Sequence, residues 1–243
     1  MRHVLLGCVA IVLAGCGGAK VAPNALFVGT DATYRPFEFQ ERAGVFEGYD
    51  IDLIQAIGKE LGRPVEMRNG PFNDLISGLK AEKYDVIISC LSITPERAKE
   101  IAFSDPYYDA GQIIAVRADE AKIAGRADLK GKKIGAQQAT TGETEAKALG
   151  GTVKSYETID LAFQDLANGQ IDAIVNDEPV SRWLVAKRPG FKLVGEVFTK
   201  EQYGIGVRKA DAALLADINR ALKKLRDSGE LTRLCEKWIT KPQ

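Results

Sequence analysis

Two observations predict an α/β fold built from two similar lobes. Short β-branched runs alternate with helical periodicity from residue 26 to the end of the chain, the pattern of strand–helix units. The pattern also echoes itself. Leu79-Lys80-Ala81-Glu82-Lys83-Tyr84-Asp85-Val86-Ile87-Ile88 and Leu166-Ala167-Asn168-Gly169-Gln170-Ile171-Asp172-Ala173-Ile174-Val175 each supply a helix end, a turn, an aspartate and a buried strand. Ligands of open α/β sheets bind at the carboxyl ends of strands, so two facing lobes imply a cleft between them.

The elements follow in order. Leu26–Thr30 reads as a strand. Tyr49–Leu61 reads as a helix, with Asp50 as its expected cap and Ile51, Ile54, Ile57 and Leu61 on one face. The alternation continues through Val65–Arg68, Phe72–Ala81 and Val86–Ser89. It resumes in Lys133–Ala136, Thr141–Ala148, Val153–Ser155, Thr158–Ala167 and Ala173–Asn176. The tail from Ala210 to Trp238 is helical, with a break at Ser228-Gly229. Gln112–Val116 and Tyr203–Val207 are the expected crossing strands. The chain then divides into 1–15, a leader; 16–25, a tether; 26–112 plus 207–243, one lobe; and 113–206, the other.

The leader carries Arg2 and the apolar run Val4–Leu13. That run is too short to span a bilayer, which takes about 20 residues, and suits a signal peptide. It ends in Leu13-Ala14-Gly15-Cys16, which resembles the lipobox of bacterial lipoproteins, so cleavage would leave Cys16 as an acylated first residue. An ordinary signal peptide with a chance cysteine is the plainer alternative. Gly17 to Pro23 reads as a flexible tether, and no second apolar stretch approaches membrane length.

Thirty-three basic and 33 acidic residues balance, and no basic block argues for a nucleic-acid partner. The only histidine, His3, lies in the leader. A mature chain without imidazole excludes His-based catalysis and every His-containing metal site, and no cofactor or metal is expected. Cys90 and Cys235 are expected as thiols, Cys90 beside a binding site and Cys235 in the terminal helix.

Three constellations carry candidate chemistry. In Cys90-Leu91-Ser92-Ile93-Thr94-Pro95-Glu96-Arg97 a strand ends, Thr94 caps a helical turn with Pro95 at its first position, and Arg97 projects where a carboxylate can be held bidentately. A surface arginine is the bland alternative. In Gln138-Ala139-Thr140-Thr141-Gly142-Glu143 the spacing of Thr140 and Glu143 is that of a capping box, and Gly142 permits close backbone approach. The loop lacks the lysine and glycine spacing of a phosphate loop and suits a carboxylate, or serves simply as a cap. Asp177 ends the apolar strand Ala173–Val175, placed either to receive an ammonium or to cap the next helix.

Together these residues resemble the amino-acid-binding, solute-binding proteins of bacterial ABC importers. The resemblance runs from Leu26 to Trp238. Its motifs are Thr30-Asp31-Ala32-Thr33-Tyr34-Arg35-Pro36-Phe37-Glu38-Phe39, Gly48-Tyr49-Asp50-Ile51-Asp52-Leu53, Ser92-Ile93-Thr94-Pro95-Glu96-Arg97, Phe103-Ser104-Asp105-Pro106-Tyr107-Tyr108, Thr140-Thr141-Gly142-Glu143 and Gln202-Tyr203-Gly204-Ile205-Gly206-Val207. It implies a periplasmic-binding-protein type II fold, extracytoplasmic and anchored to a membrane through Cys16, acting as a monomer that hands its ligand to an ABC permease. It also implies that Arg97 grips an α-carboxylate, with amides of Ser92 and of Thr141-Gly142. Asp177 would pair with the α-ammonium, helped by carbonyls of Cys90 and Ser92, and Tyr34 and Phe72 would sandwich the side chain. Relatives often carry Gly or Ser at the Cys90 position.

Asp31 is then a carboxylate without a partner, facing the ligand side chain, and burying it calls for donors on the ligand. Arginine, lysine, ornithine or histidine fit, with glutamine next. A neutral Gln138, where some relatives carry Lys or Arg, disfavours an acidic ligand. Two competing readings remain. One is a cyclohexadienyl-dehydratase-like enzyme, whose general acid would be Asp31, Glu38 or Glu178. The other is a ligand-responsive sensor that docks on a receptor.

Overall fold

The computed structural model describes residues 24–240. The leader 1–15 and Cys16 lie outside the described residues. Asn24 and Ala25 already belong to the fold, because their carbonyls accept hydrogen bonds from Arg63 and Ala25 is buried.

Two five-stranded sheets form, and their strand orders correspond. The first runs Val65–Asn69, Leu26–Thr30, Val86–Ile87, Gly206–Val207, Ala102–Phe103; the second runs Thr152–Tyr156, Lys133–Gln137, Ala173–Asp177, Gln112–Arg117, Phe191–Val194. In both, the first three strands are parallel and the fourth is antiparallel to its neighbours. The sequence echo is therefore structural. Leu75–Lys80 leads into Val86–Ile87, and Ile159–Ala167 leads into Ala173–Asp177, the middle strand of each sheet.

The fourth strand of each sheet comes from the chain segment that has just crossed from the other lobe. The crossing pair is Tyr108–Ala110 against Glu201–Tyr203, an antiparallel ribbon with Tyr108 opposite Tyr203. This corrects the expected crossing strands. Ile113–Val116 is apolar because Gln112–Val116 lies inside the second sheet with every one of those residues buried, and Gly206–Val207 is likewise interior to the first. The ribbon itself is only partly buried and carries the polar residues Asp109, Glu201 and Gln202.

Helix Tyr49–Leu61 buries Ile51, Leu53, Ile54 and Ile57, and it shares a core with Ile218, Ala221, Leu222 and Leu225 of helix Ala212–Asp227. Each of these leucines and isoleucines contributes roughly 1.5–3 kcal/mol on burial. The expected break at Ser228-Gly229 is present, with Gly229 left-handed between Ala212–Asp227 and Glu230–Cys235. Asp50, expected to cap Tyr49–Leu61, does not. The cap position is Gly48, and the Asp50 side chain turns inward. An aspartate two residues after a glycine, at the start of a helical pattern, reads as a cap only while its tertiary partners are unseen.

Gly48 ties this helix to the loop that precedes it. Its φ of 127° is open only to glycine, and a Cβ there would lie 2.1 Å from the Phe37 carbonyl oxygen. Gly62, at φ 66°, has nothing within 4 Å. Gly48→Ala should therefore cost about 2–4 kcal/mol and Gly62→Ala only about 1. Urea unfolding midpoints of the two variants check this, and equal losses would contradict the close approach.

Candidate functional site

Strand ends from both sheets converge on one narrow cavity with room for about one water. From the first lobe come Asp31, Tyr34, Phe72, Cys90, Ser92 and Arg97; from the second come Thr141 and Asp177. Gln138 and Gly142 are not in the wall. Gln137, one residue earlier, is: it is buried, and its Nε2 donates to Asp31 Oδ2 at 2.8 Å and to the Glu157 carbonyl at 3.0 Å. Neighbouring residues at a strand end point to opposite sides, so a one-residue misreading reverses the face. Gly142 packs behind the wall, where a Cβ would meet Gln112 Oε1 and the Val175 carbonyl, each at 2.9 Å.

Arg97 stands on helix Pro95–Glu100, whose cap Thr94 accepts the Arg97 N–H at 3.2 Å. Its guanidinium donates to the Ser92 carbonyl at 2.9 Å and to the Ala139 carbonyl of the other lobe at 3.0 Å, and it lies 5.3 Å from the Phe72 ring centroid. Burial pulls its pKa below the ordinary arginine value, against the opposing charges of Asp177 and Glu201. A guanidinium held by two carbonyls instead of a carboxylate keeps its charge uncancelled and can receive an anion.

Asp177 is buried on the facing lobe. Its Oδ2 accepts from Tyr203 Oη at 2.6 Å and its Oδ1 accepts from Gln112 Nε2. Burial, assisted by the Glu201 charge, pushes its pKa up to about 6. Tyr34 Oη donates to Asn176 Oδ1 at 2.6 Å, a direct bond between lobes beside those of Gln137 to Asp31 and Arg97 to Ala139.

Glu201 and Gln112 were not singled out from sequence. Glu201 lies on the crossing ribbon, and its Oε2 accepts from Ser92 Oγ of one lobe and Thr141 Oγ1 of the other, both at 2.7 Å. Its Oε1 accepts from Gln112 Nε2 at 3.1 Å and Thr199 Oγ1 at 2.8 Å. The available signal was a lone polar residue at the head of the apolar run Gln112–Val116, which a purely structural strand does not need.

Beneath the cavity, the Asp31 N–H donates to Ser89 Oγ at 3.0 Å, and Ser89 Oγ donates to Glu38 Oε1 at 3.1 Å. Cys90, at φ 45°, donates its N–H to Asp50 Oδ2 at 2.9 Å, which also accepts Tyr107 Oη at 2.8 Å. Burial raises the pKa of Asp31, and more strongly that of Glu38, which also faces the charges of Asp50 and Asp31. Burial carries Asp50 up to about 6 and keeps the Cys90 thiol neutral. The Cys90 thiol reaches Glu38 Oε2 at 3.5 Å, so this group reads as a hydrogen-bonded network. Cys90 and Cys235 are both free.

Comparison with known proteins agrees with this cleft. Residues 26–241 match the bacterial extracellular solute-binding proteins, family 3. The chain belongs to that family. Among the family-3 relatives, the ABC transporter arginine-binding protein 1 of Escherichia coli is 36% identical, covering 91% of this chain and 93% of its own. A variant of ArgBP from T. maritima superposes with a TM-score of 0.86 at 42% identity, covering 90% of this chain and 96% of its own. An ancestral arginine-binding protein bound to glutamine gives 0.85 at 42%, covering 89% and 98%. The fold of this family-3 protein is the two-lobed one with a cleft that the resemblance implied.

Asp50 and Asp177 bind protons more tightly in the folded chain than unfolded, with pKa near 6 against 3.8. Their contribution to stability is full below about pH 4 and fades as pH rises through about 6. Asp50→Asn should flatten this fall in the ligand-free protein. Unfolding midpoints of both proteins near pH 5 and pH 7 test the sign, and a parallel fall in the variant would contradict it.

Proposed function

We propose that this chain is the capture component of an ABC importer and binds an L-amino acid with a cationic side chain: arginine, lysine, ornithine or histidine, with glutamine a weaker ligand. One observation carries the reading. Asp31, Glu38, Asp50 and Asp177 are buried around one cavity, while the arginine at its edge, Arg97, is bound to carbonyls. A site so rich in carboxyl groups and so poor in cations to pair them favours a ligand that brings positive charge.

The roles follow from geometry and charge. Arg97 takes the α-carboxylate, exchanging carbonyl contacts for a bidentate ion pair, with Ser92 and the Thr141-Gly142 segment beside it. Asp177 takes the α-ammonium, near Cys90. Tyr34 and Phe72 flank the side chain, and Asp31, with Gln137 now in the position intended for Gln138, reads its far end. We place the lobe boundaries at the crossing ribbon, so the expected divisions after Gln112 and before Val207 shift by a few residues: Gln112 falls in the second lobe and Gly206 in the first. We read the protein as releasing its ligand unchanged, because the two charges of a zwitterion account for Arg97 and Asp177. Of the acids weighed for a dehydratase, Glu178 is occupied in an ion pair with Arg182.

Arg97→Ala should lower affinity for every amino acid by about 3–5 kcal/mol. Asp31→Asn should lower arginine affinity by about 1–3 kcal/mol and glutamine affinity by much less. Calorimetry with both ligands measures the ratio; an unmoved ratio removes Asp31 as the reader of the side chain, and unchanged affinity in folded Arg97→Ala removes the binding site itself. We also propose that a lipid on Cys16 holds the protein to a membrane. Palmitate labelling should disappear in Cys16→Ser, and labelling that persists would refute the anchor.

A further inference from the structure

The charged groups that face Glu38 are all carboxyls. Glu38 is fully buried yet reaches the cavity wall. Asp50 approaches it from helix Tyr49–Leu61, Asp31 from the end of Leu26–Thr30, and the neutral Cys90 thiol from the end of Val86–Ile87. The hydroxyls of Tyr34 and Tyr107 complete its surroundings. No ion pair among the described residues includes Glu38, Asp31 or Asp50.

Asp50 supplies the geometric observation. Its Oδ2 accepts two hydrogen bonds, but its Oδ1, fully buried, accepts none from a fixed donor. A buried carboxylate oxygen without a donor is costly, and native structures seldom leave one. The neighbour able to furnish a proton there is Glu38 in its acid form: an oxygen of each of the two carboxyls and the Cys90 sulfur lie within 4.8 Å of one another.

We propose that Glu38 and Asp50 share a proton in the ligand-free site and release it to solvent when the cationic side chain of a basic amino acid enters, which makes the pair a determinant of specificity. The inference rests on the basic-ligand reading above. One carboxylic acid becomes a carboxylate, one proton leaves to water, and one organic cation arrives, so the net charge of the site is conserved. Glutamine brings no cation and leaves the proton in place; an acidic side chain adds repulsion. Pairing of the α-ammonium with Asp177 is common to all amino acids and cancels when two ligands are compared.

Titration calorimetry of the intact protein near pH 7, with arginine and with glutamine in two buffers of different ionisation heat, counts the protons released. Arginine should release about half a proton or more beyond glutamine, and the arginine-to-glutamine affinity ratio should rise about three- to tenfold per pH unit. Glu38→Gln should abolish the excess. Infrared difference spectra of the unaltered protein report the same event should that variant not fold or glutamine not bind: arginine bleaches a protonated-carboxyl band. Equal proton counts, an excess that persists in Glu38→Gln, or an unbleached band overturns the proposal and leaves the basic-ligand reading standing. Failure of every basic amino acid to bind overturns both.

Discussion

Asp31, Glu38, Asp50 and Asp177 are withdrawn from water where the two sheets meet, and their hydrogen-bond donors come from hydroxyl, amide and thiol groups. Isolated buried charge is among the most expensive features a fold can hold, and much of the surrounding architecture supplies those donors. Cys90 takes a left-handed backbone so that its N–H meets Asp50. Tyr203 and Gln112, one from the crossing ribbon and one from the strand after it, converge on Asp177. Gln137 crosses from one lobe to the other to reach Asp31. The electrostatic deficit is thus what the loops between strands and helices are shaped to manage.

The cleft keeps its polar groups engaged while closed. Arg97 holds carbonyls of both lobes, Tyr34 holds Asn176, and Glu201 gathers hydroxyls from both sides. A zwitterion entering such a site replaces bonds already made, so affinity is set by the difference between a charged partner and a neutral one instead of by the full strength of either. On the proposed reading that difference is largest for Arg97, where a carboxylate would replace two carbonyls, so the guanidinium, and not the many hydroxyls, would contribute most to recognition.

How much of this was legible in the sequence depended on the range of the interaction. Local signals held. Thr94 and Thr140 cap the helices their spacing announced, each accepting the N–H three residues on, and the echo between Leu79–Ile88 and Leu166–Val175 reported two sheets of corresponding order. Eight of the ten ligand-site residues named from sequence line one cavity. What failed was tertiary. Asp50 has the spacing of a cap but a partner forty positions away at Cys90; Gln137 and Gln138 are equivalent until the strand's facing is fixed; and Glu201 acquires meaning only from Ser92 and Thr141, which are distant in the chain.

The ribbon of Tyr108–Ala110 and Glu201–Tyr203 joins the lobes by two segments hydrogen-bonded side by side. Its Tyr108 and Tyr203 rings stack 5.7 Å apart, with the Phe37 ring set edgewise against both. A two-stranded ribbon bends more readily across its face than along its edge, where its inter-strand hydrogen bonds would have to shear. The lobes therefore have one soft direction of travel. A jaw with one hinge axis returns to the same bite each time, so on the proposed reading groups on opposite lobes, Arg97 and Asp177 among them, would meet a captured molecule in fixed alignment without any adjustment of their own.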